Sequence, residues 1–326
     1  MRSDGTAFAR RSSAMTTTEQ TVRLLANIGL RKRAPGSNWY VLRRLLQKEK
    51  LAKVFVERLT EPLHLSALSA LVAVFGSYRM KVAFDLVVRQ QYAFPILYAA
   101  DAAKRYRYNC VTLVELGVAS GSGLLNMCRI AERTTRATGI KFRIVGFDGG
   151  KGLPPAIDYR DLPEHFQAGD FPMTDFAGLR RALPSNAELI IGDVAETAPA
   201  FAKSLTKDAP LGFAAVDVDY YSAAKSAMPV LQGAPESYLP LVPVYLDDIG
   251  VESSNPWNGE LLAVSEFNAE NPLRKIAPFT LLRSHRIFKN TQWIDRMYAA
   301  HIHDHPYRSP EHKRATKRVI ANEYLG

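Results

Sequence analysis

Apolar positions along this chain change their period near residue 108. From Thr21 to about Arg107 they recur at helical spacing. Tyr40, Val41, Leu45 and Leu46 come first, then Leu51, Val54, Phe55 and Leu59 before Glu61-Pro62, then Leu63 to Phe75 and Val82 to Leu97. Gly76 and Pro95 are the expected breaks. From Cys110 onward, short apolar runs alternate with helical segments. Val111 to Leu116, Lys141 to Asp148, Glu188 to Asp193, Leu211 to Asp219 and Val242 to Asp248 read as strands, with helices over Leu124 to Thr138, Pro199 to Leu205 and Ser222 to Leu231. Phe279 to Lys289 and Trp293 to His303 supply the last two strands. Such alternation predicts an α/β fold with an open, mostly parallel sheet of about seven strands and ligands at their carboxyl ends.

Four segments follow: a disordered basic tail over 1–20, with Met15 an alternative start; a helical extension over 21–107; the sheet domain over 108–306; and a C-terminal tail over 307–326. Residues 149–183 form a long Gly- and Pro-rich connection, the kind of loop that serves as a lid. The chain has 326 residues, 47% hydrophobic and 23% charged, an ordinary globular composition. The longest nearly unbroken apolar run, Leu63 to Gly76, falls short of the roughly 20 residues of a membrane span. Cys110 and Cys128 form no C-x-x-C or disulfide framework, which fits a reducing, cytoplasmic setting. The net charge of +10 is unevenly placed: residues 1–110 hold 19 Lys+Arg against 7 Asp+Glu, and the remainder 23 against 25. The basic residues are scattered without a recognisable nucleic-acid motif, so they read as solvated faces and nucleic acid is not an expected partner. The helical extension is expected either to cover the site or to make a homo-oligomer contact.

The candidate chemistry starts at Glu115-x-Gly117-x-x-Ser120-Gly121-x-Gly123, between the first strand and the next helix. Glycines there accept backbone angles closed to other residues and let a ligand approach the helix N-terminus. The spacing differs from the G-x-G-x-x-G of dinucleotide binders, which disfavours an NAD(P) oxidoreductase. A glycine turn with no ligand is the bland alternative. Asp148 ends the second strand 25 residues beyond Gly123, where an acid accepts hydrogen bonds from ribose hydroxyls or simply caps the next turn. Asp217 and Asp219 end the fourth strand, and Asp247 and Asp248 the fifth. Strand alternation sends Asp217 and Asp219 to one side, so one can bind metal while the other acts as a base. Converging carboxylates repel one another, and Mg²⁺ is the usual remedy. His301-Ile-His-Asp-His305 lacks the spacing of a defensible metal motif.

The glycine loop resembles that of class I S-adenosylmethionine methyltransferases, which wraps the methionine and ribose of the cofactor. The order Phe147-Asp148, Gly152-Leu-Pro154, Gly169-Asp-Phe171, Gly192-Asp193 with Glu196-Thr197, Asp217-x-Asp219-x-Tyr221-Ser222, Asp247-Asp248 and Trp257-x-Gly259 with Ala263-Val-x-x-Phe267 is similar to the macrocin O-methyltransferase (TylF/MycF-like) family. The similarity covers about residues 110–300. Departures lie at Tyr220, at the Gly-Gly-Lys-Gly-Leu-Pro after Asp148, and at Pro240-Leu-Val-Pro-Val. The resemblance implies a Rossmann-like methyltransferase sheet and transfer of a methyl group to a hydroxyl of a small molecule, a sugar or glycosylated metabolite. The cofactor S-adenosylmethionine would meet Glu115, Gly117, Ser120, Gly121 and Gly123, with Asp148, Asp193 and Asp217 beyond them. Asp217, Asp247 and Asp248 would hold Mg²⁺. Asp219 would be the general base, with His165 a second candidate catalytic residue on the lid. A catalytically idle binding protein of the same fold is the rival reading.

Overall fold

The computed structural model describes residues 60–312, and a compact unit begins at Glu61. The tail over 1–20, Met15, the helical pattern from Thr21 to Leu59 and the end of the C-terminal tail lie outside the described residues.

Seven strands build one sheet: β1 (Cys110–Leu116), β2 (Lys141–Asp148), β3 (Ala187–Ile191), β4 (Leu211–Val216), β5 (Leu241–Leu246), β6 (Arg274–Pro278) and β7 (Met297–Ile302). Their order is β3-β2-β1-β4-β5-β7-β6. Only β7 runs against its neighbours. This is the open, mostly parallel, Rossmann-like sheet of seven strands that the alternation of periods predicts. The chain winds outward through β2 and β3 and then crosses back to β4, so the strand order reverses between β1 and β4 and opens a crevice above their carboxyl ends. Backbone bonds continue the ladder past those ends: Asp217 N–H donates to Leu116 O at 2.9 Å and Asp247 N–H to Val216 O at 3.0 Å.

Helices cover both faces. In order they are α1 (Leu63–Phe75), α2 (Tyr78–Ala83), α3 (Gln90–Tyr106), α4 (Ser122–Thr138), α5 (Phe176–Ala182), α6 (Val194–Ser204), α7 (Tyr221–Ala227), α8 (Gly259–Glu270) and the single turn α9 (Leu282–His285). In α4, Leu124, Met127, Cys128, Ala131 and Thr134 are buried at three- and four-residue spacing, and Gly139 closes the helix with φ 81°. Burying each large apolar side chain of this kind is worth roughly 1.5–3 kcal/mol. The inward face of α3 is small: Ala93, Ala99, Ala100 and Ala103 flank Ile96, all fully buried. That lets α3 lie close on β4, where Gly212 faces Ala99 and leaves little room for a Cβ.

Several boundaries differ from the sequence expectation. Pro95 and Pro199 sit inside α3 and α6. Pro95 is buried with Tyr92, Ile96 and Ala99, and this packing outweighs one lost backbone hydrogen bond. α6 starts earlier than Pro199, at an Asp193 cap followed three residues later by Glu196. Phe279 to Lys289 is no strand: Pro278 ends β6, Leu281 takes φ 64° and one helical turn follows. β4 and β5 stop at Val216 and Leu246, so none of the four acids lies on a strand. The start of the expected C-terminal tail is packed, with Tyr307 donating to Tyr106 O at 3.2 Å. Among the described residues, no helix is long and apolar enough to cross a membrane.

Candidate active site

The crevice is a cleft of about 1110 Å³. Its lining takes in Glu115, Gly117, Ser120, Gly123, Asp148, His165, Asp193 and the acids Asp217, Asp219, Asp247 and Asp248. Gly121 is the exception among the expected residues. It faces Leu179 of α5, which a Cβ there would strike.

The glycines of the loop make room for protein atoms. A Cβ on Gly117 would overlap the carbonyl of Asp217, and one on Gly123 would overlap the carboxylate of Glu115. Gly117 also takes φ 86°, a left-handed value. The loop therefore locks the end of β1 to the turn after β4. Asp148 completes the lock. Its Oδ2 accepts Val118 N–H at 2.9 Å and Ala119 N–H at 2.7 Å, and its Oδ1 accepts Gly150 N–H at 2.5 Å. Asp148 thus shapes the loop directly, in addition to facing the cleft. Asp193, at the cleft edge, caps α6 by accepting Ala195 N–H at 2.9 Å.

Glu115 lies below the loop, 1% exposed. Tyr92 donates to its Oε1 at 2.7 Å, while Oε2 is buried with no partner among the described residues. Burial pushes the Glu115 carboxyl up to about 8, against the Tyr92 hydrogen bond and with help from Asp217.

Asp217, Asp247 and Asp248 each offer a carboxylate oxygen, and these oxygens lie within 4.8 Å of one another. They gather because β4 and β5 are neighbours that end at the same level. Burial, then Asp247 and Asp248, raise Asp217 to about 8. Burial, then Asp219 and Asp247, raise Asp248 to about 8. Asp247 is steadied by Tyr245, which donates to its Oδ1 at 2.7 Å, and by Arg296, which donates to its carbonyl at 2.7 Å. Asp219 stands apart in a tight turn with φ 62°. Its N–H donates to Asp248 Oδ2 at 2.9 Å, and burial followed by Asp217 raises its carboxyl to about 7. Because Asp219 lies on this left-handed turn, strand alternation does not decide where it points; the turn and Asp248 do.

Sequence reasoning missed four contributors. Arg89, the lone charge between Asp85 and Asp101, reaches the cleft from the residue before α3. Glu260, 1% exposed on α8, accepts Asp248 N–H at 3.1 Å, and burial raises it well above the usual carboxylate range. Tyr245 and Arg296 hold Asp247. Arg89 was legible as an isolated charge in an apolar run, whereas Glu260 carried no such signal.

The connection over 149–175 walls the cleft with His165, Phe166, Asp170 and Phe171. His165 is exposed, its ring edge-on to Phe166 with centroids 4.6 Å apart. The loop is fastened at three points. Gly169 N–H and Leu153 O bond at 2.8 Å, Leu162 and Phe166 pack on the fully buried Tyr220, and the buried Asp161 accepts Ile157 N–H at 2.9 Å and Ser222 N–H at 2.8 Å. The C-terminal histidines gather no site: His301 and His303 stack with centroids 5.8 Å apart, and His305 Nδ1 accepts Tyr307 N–H at 3.1 Å.

No protein-family profile matches the chain, and no curated protein matches it. Among solved structures, the chain is similar to the calicheamicin methyltransferase CalS11, at 18% identity over 81% of this chain and 90% of that one, with a TM-score of 0.41. It is also similar to an O-methyltransferase from Bacillus cereus in complex with S-adenosylhomocysteine, at 12% identity, 72% and 96% coverage and a TM-score of 0.34. A third is the MycE methyltransferase of mycinamycin biosynthesis in complex with Mg, S-adenosylhomocysteine and mycinamycin VI, at 11% identity, 61% and 46% coverage and a TM-score of 0.31.

Proposed function

We propose that this chain is an S-adenosylmethionine- and Mg²⁺-dependent O-methyltransferase acting on a hydroxyl of a small molecule, a sugar or glycosylated metabolite. The observation that carries the reading is the meeting, in one cleft, of a glycine loop at the strand-order reversal with three converging carboxylates and a fourth on the adjoining turn. The three oxygens are hard donors, and Asp217 and Asp248 are raised to about 8 by burial first and by neighbouring carboxylates second, a donor set that fits a divalent cation. Asp217, Asp247 and Asp248 would hold Mg²⁺, which when bound supplies the positive charge that lowers the pKa of an acceptor hydroxyl. The glycine loop, Ser120, Asp148 and Asp193 would hold S-adenosylmethionine, which when bound would supply the methyl group.

The remaining work belongs to side chains of this chain. Asp219 takes the hydroxyl proton on its carboxylate, and a carboxyl raised toward 7 is a better base than an ordinary aspartate. Its N–H bond to Asp248 fixes that carboxylate beside the trio. His165, Phe166 and Phe171 of the cleft wall would face the acceptor, and attack on the methyl group is governed by positioning. His165 is a second candidate catalytic side chain there.

Calorimetric titration of S-adenosylmethionine into metal-stripped protein, with and without Mg²⁺ and with NAD⁺ as control, tests the reading. Micromolar binding without an NAD⁺ signal is expected, followed by Mg²⁺-dependent methylation within a panel of sugar and phenol acceptors. Silence with S-adenosylmethionine under both conditions would overturn it.

A further inference from the structure

We infer that α1 is a docking surface for an anionic lipid bilayer, on which it lies without crossing it. The helix has 13 residues, with no Lys, Arg, Asp or Glu among them. Its inner side meets the rest of the unit through Leu65 and Val72, which pack with Phe84 and the fully buried Phe288. Among the described residues the opposite side has no cover. Leu68, Leu71 and Phe75 recur there at helical spacing beside Val74, and Leu71, Val74 and Phe75 are 59%, 69% and 83% exposed. None of these side chains lines the cleft. Single apolar side chains in water need no explanation, whereas a contiguous row of large ones marks a binding surface.

Charge decides the occupant. Residues 1–60, which run directly into α1 in the chain, hold 13 Lys+Arg against 4 Asp+Glu. At the start of the helix, Glu61 accepts the N–H of Lys289 and of Asn290, which brings the exposed Lys289 to that end. At the other end Arg79 and Lys81 follow on α2, with Arg79 paired to Asp101. The carboxylates of Glu61 and Asp85 are buried and bonded, so the border of the apolar row is basic. Such a row enters the acyl boundary while Lys and Arg meet the lipid phosphates. At about 20 Å long, α1 falls short of the roughly 30 Å of hydrocarbon that a span must cross, and it therefore lies in the plane. A second copy of the chain fits less well. One face of a helix about 20 Å long and 10 Å across is far smaller than the roughly 800 Å² that each partner gives to a stable protein interface, and two basic borders would repel.

Vesicle sedimentation with the full-length chain is the test. At low salt the wild-type protein should partition onto phosphatidylcholine vesicles carrying about one third phosphatidylglycerol about tenfold more strongly than onto phosphatidylcholine alone, and added salt should weaken that binding. Leu71→Glu combined with Phe75→Glu should lower partition onto the anionic vesicles about tenfold or more, with an unchanged melting temperature because both side chains are exposed. The milder pair Leu71→Ser and Phe75→Ser should lose part of it. Wild-type protein that binds neither vesicle would overturn the inference, a result that needs no variant to fold. Equal partition onto the two vesicles would overturn it by removing the role of charge, and undiminished binding by the double Glu variant would overturn it by leaving α1 without a part. Light scattering separates the rival occupant: a wild-type dimer that the Glu pair splits into monomers would place a second copy on α1 and overturn the lipid assignment.

Discussion

Asp219 owes its place to a strained turn and to one bond from its own N–H to Asp248, neither of which involves its carboxyl group. Asp219→Asn should therefore keep the turn and the affinity for S-adenosylmethionine, while methyl transfer falls about 10²–10⁴-fold, as single-turnover rates would show. The buried acids also set a pH dependence. Glu115, Asp217 and Asp248 are each raised to about 8 in the folded protein, well above their unfolded values. Between those limits the folded state holds protons that the unfolded state has released, so stability falls as pH rises. Metal-free protein should melt at a lower temperature at pH 8 than at pH 5, and Mg²⁺ should recover more of the loss at pH 8. A flat or rising profile in chelator would show that the acids are not buried together as described. The acids were legible in the sequence because each stands at the end of an apolar run, where a parallel sheet gathers its ligands. Glu260 and Asp161 were not. Each is a buried carboxylate that accepts a backbone N–H from another part of the chain, a pairing that no local pattern encodes.

At the scale of elements, the 149–175 connection and the turn bearing Asp219 are one mechanical unit. Asp161 accepts the N–H of Ser222 in the first turn of α7, directly after Asp219-Tyr220-Tyr221, and Tyr220 is the floor on which the connection packs. Asp161→Ala leaves two partly buried donors without their partner and should cost about 1 kcal/mol in thermal unfolding. It should also open residues 153–169 to limited proteolysis, whereas a loop held mainly by its apolar contacts would resist cleavage unchanged. Gly117→Ala should be harsher, since a left-handed φ and an overlap with the Asp217 carbonyl act together, at about 2 kcal/mol or more. Strands β1 to β5 and β7 and helices α4, α6 and α7 were readable from their periods, whereas β6, α5 and α8 carried no expectation. Errors fell where packing overrides a local signal, as with the buried Pro95, or where an apolar run carries no strand, as with Phe279 to Lys289. Strand ends were placed too late because the acids continue the alternating pattern that the backbone abandons for tight turns.

Over the whole described unit, the front of the chain is fastened to the segment before β7. Arg286 pairs with Asp85 at 2.5 Å in a buried site, and Glu61 accepts Lys289 N–H at 2.6 Å and Asn290 N–H at 2.8 Å. Arg286→Met should cost about 3–5 kcal/mol, seen as a lowered denaturation midpoint, because it strands a buried carboxylate. The strand order has a consequence for synthesis. Among the described residues β7 is the last strand made, yet it sits between β5 and β6, so β6 has no place in the sheet until β7 arrives. A ribosome that has released the chain only as far as β6 presents an open β5 edge, and that nascent chain has reason to need shielding by a chaperone until β7 emerges.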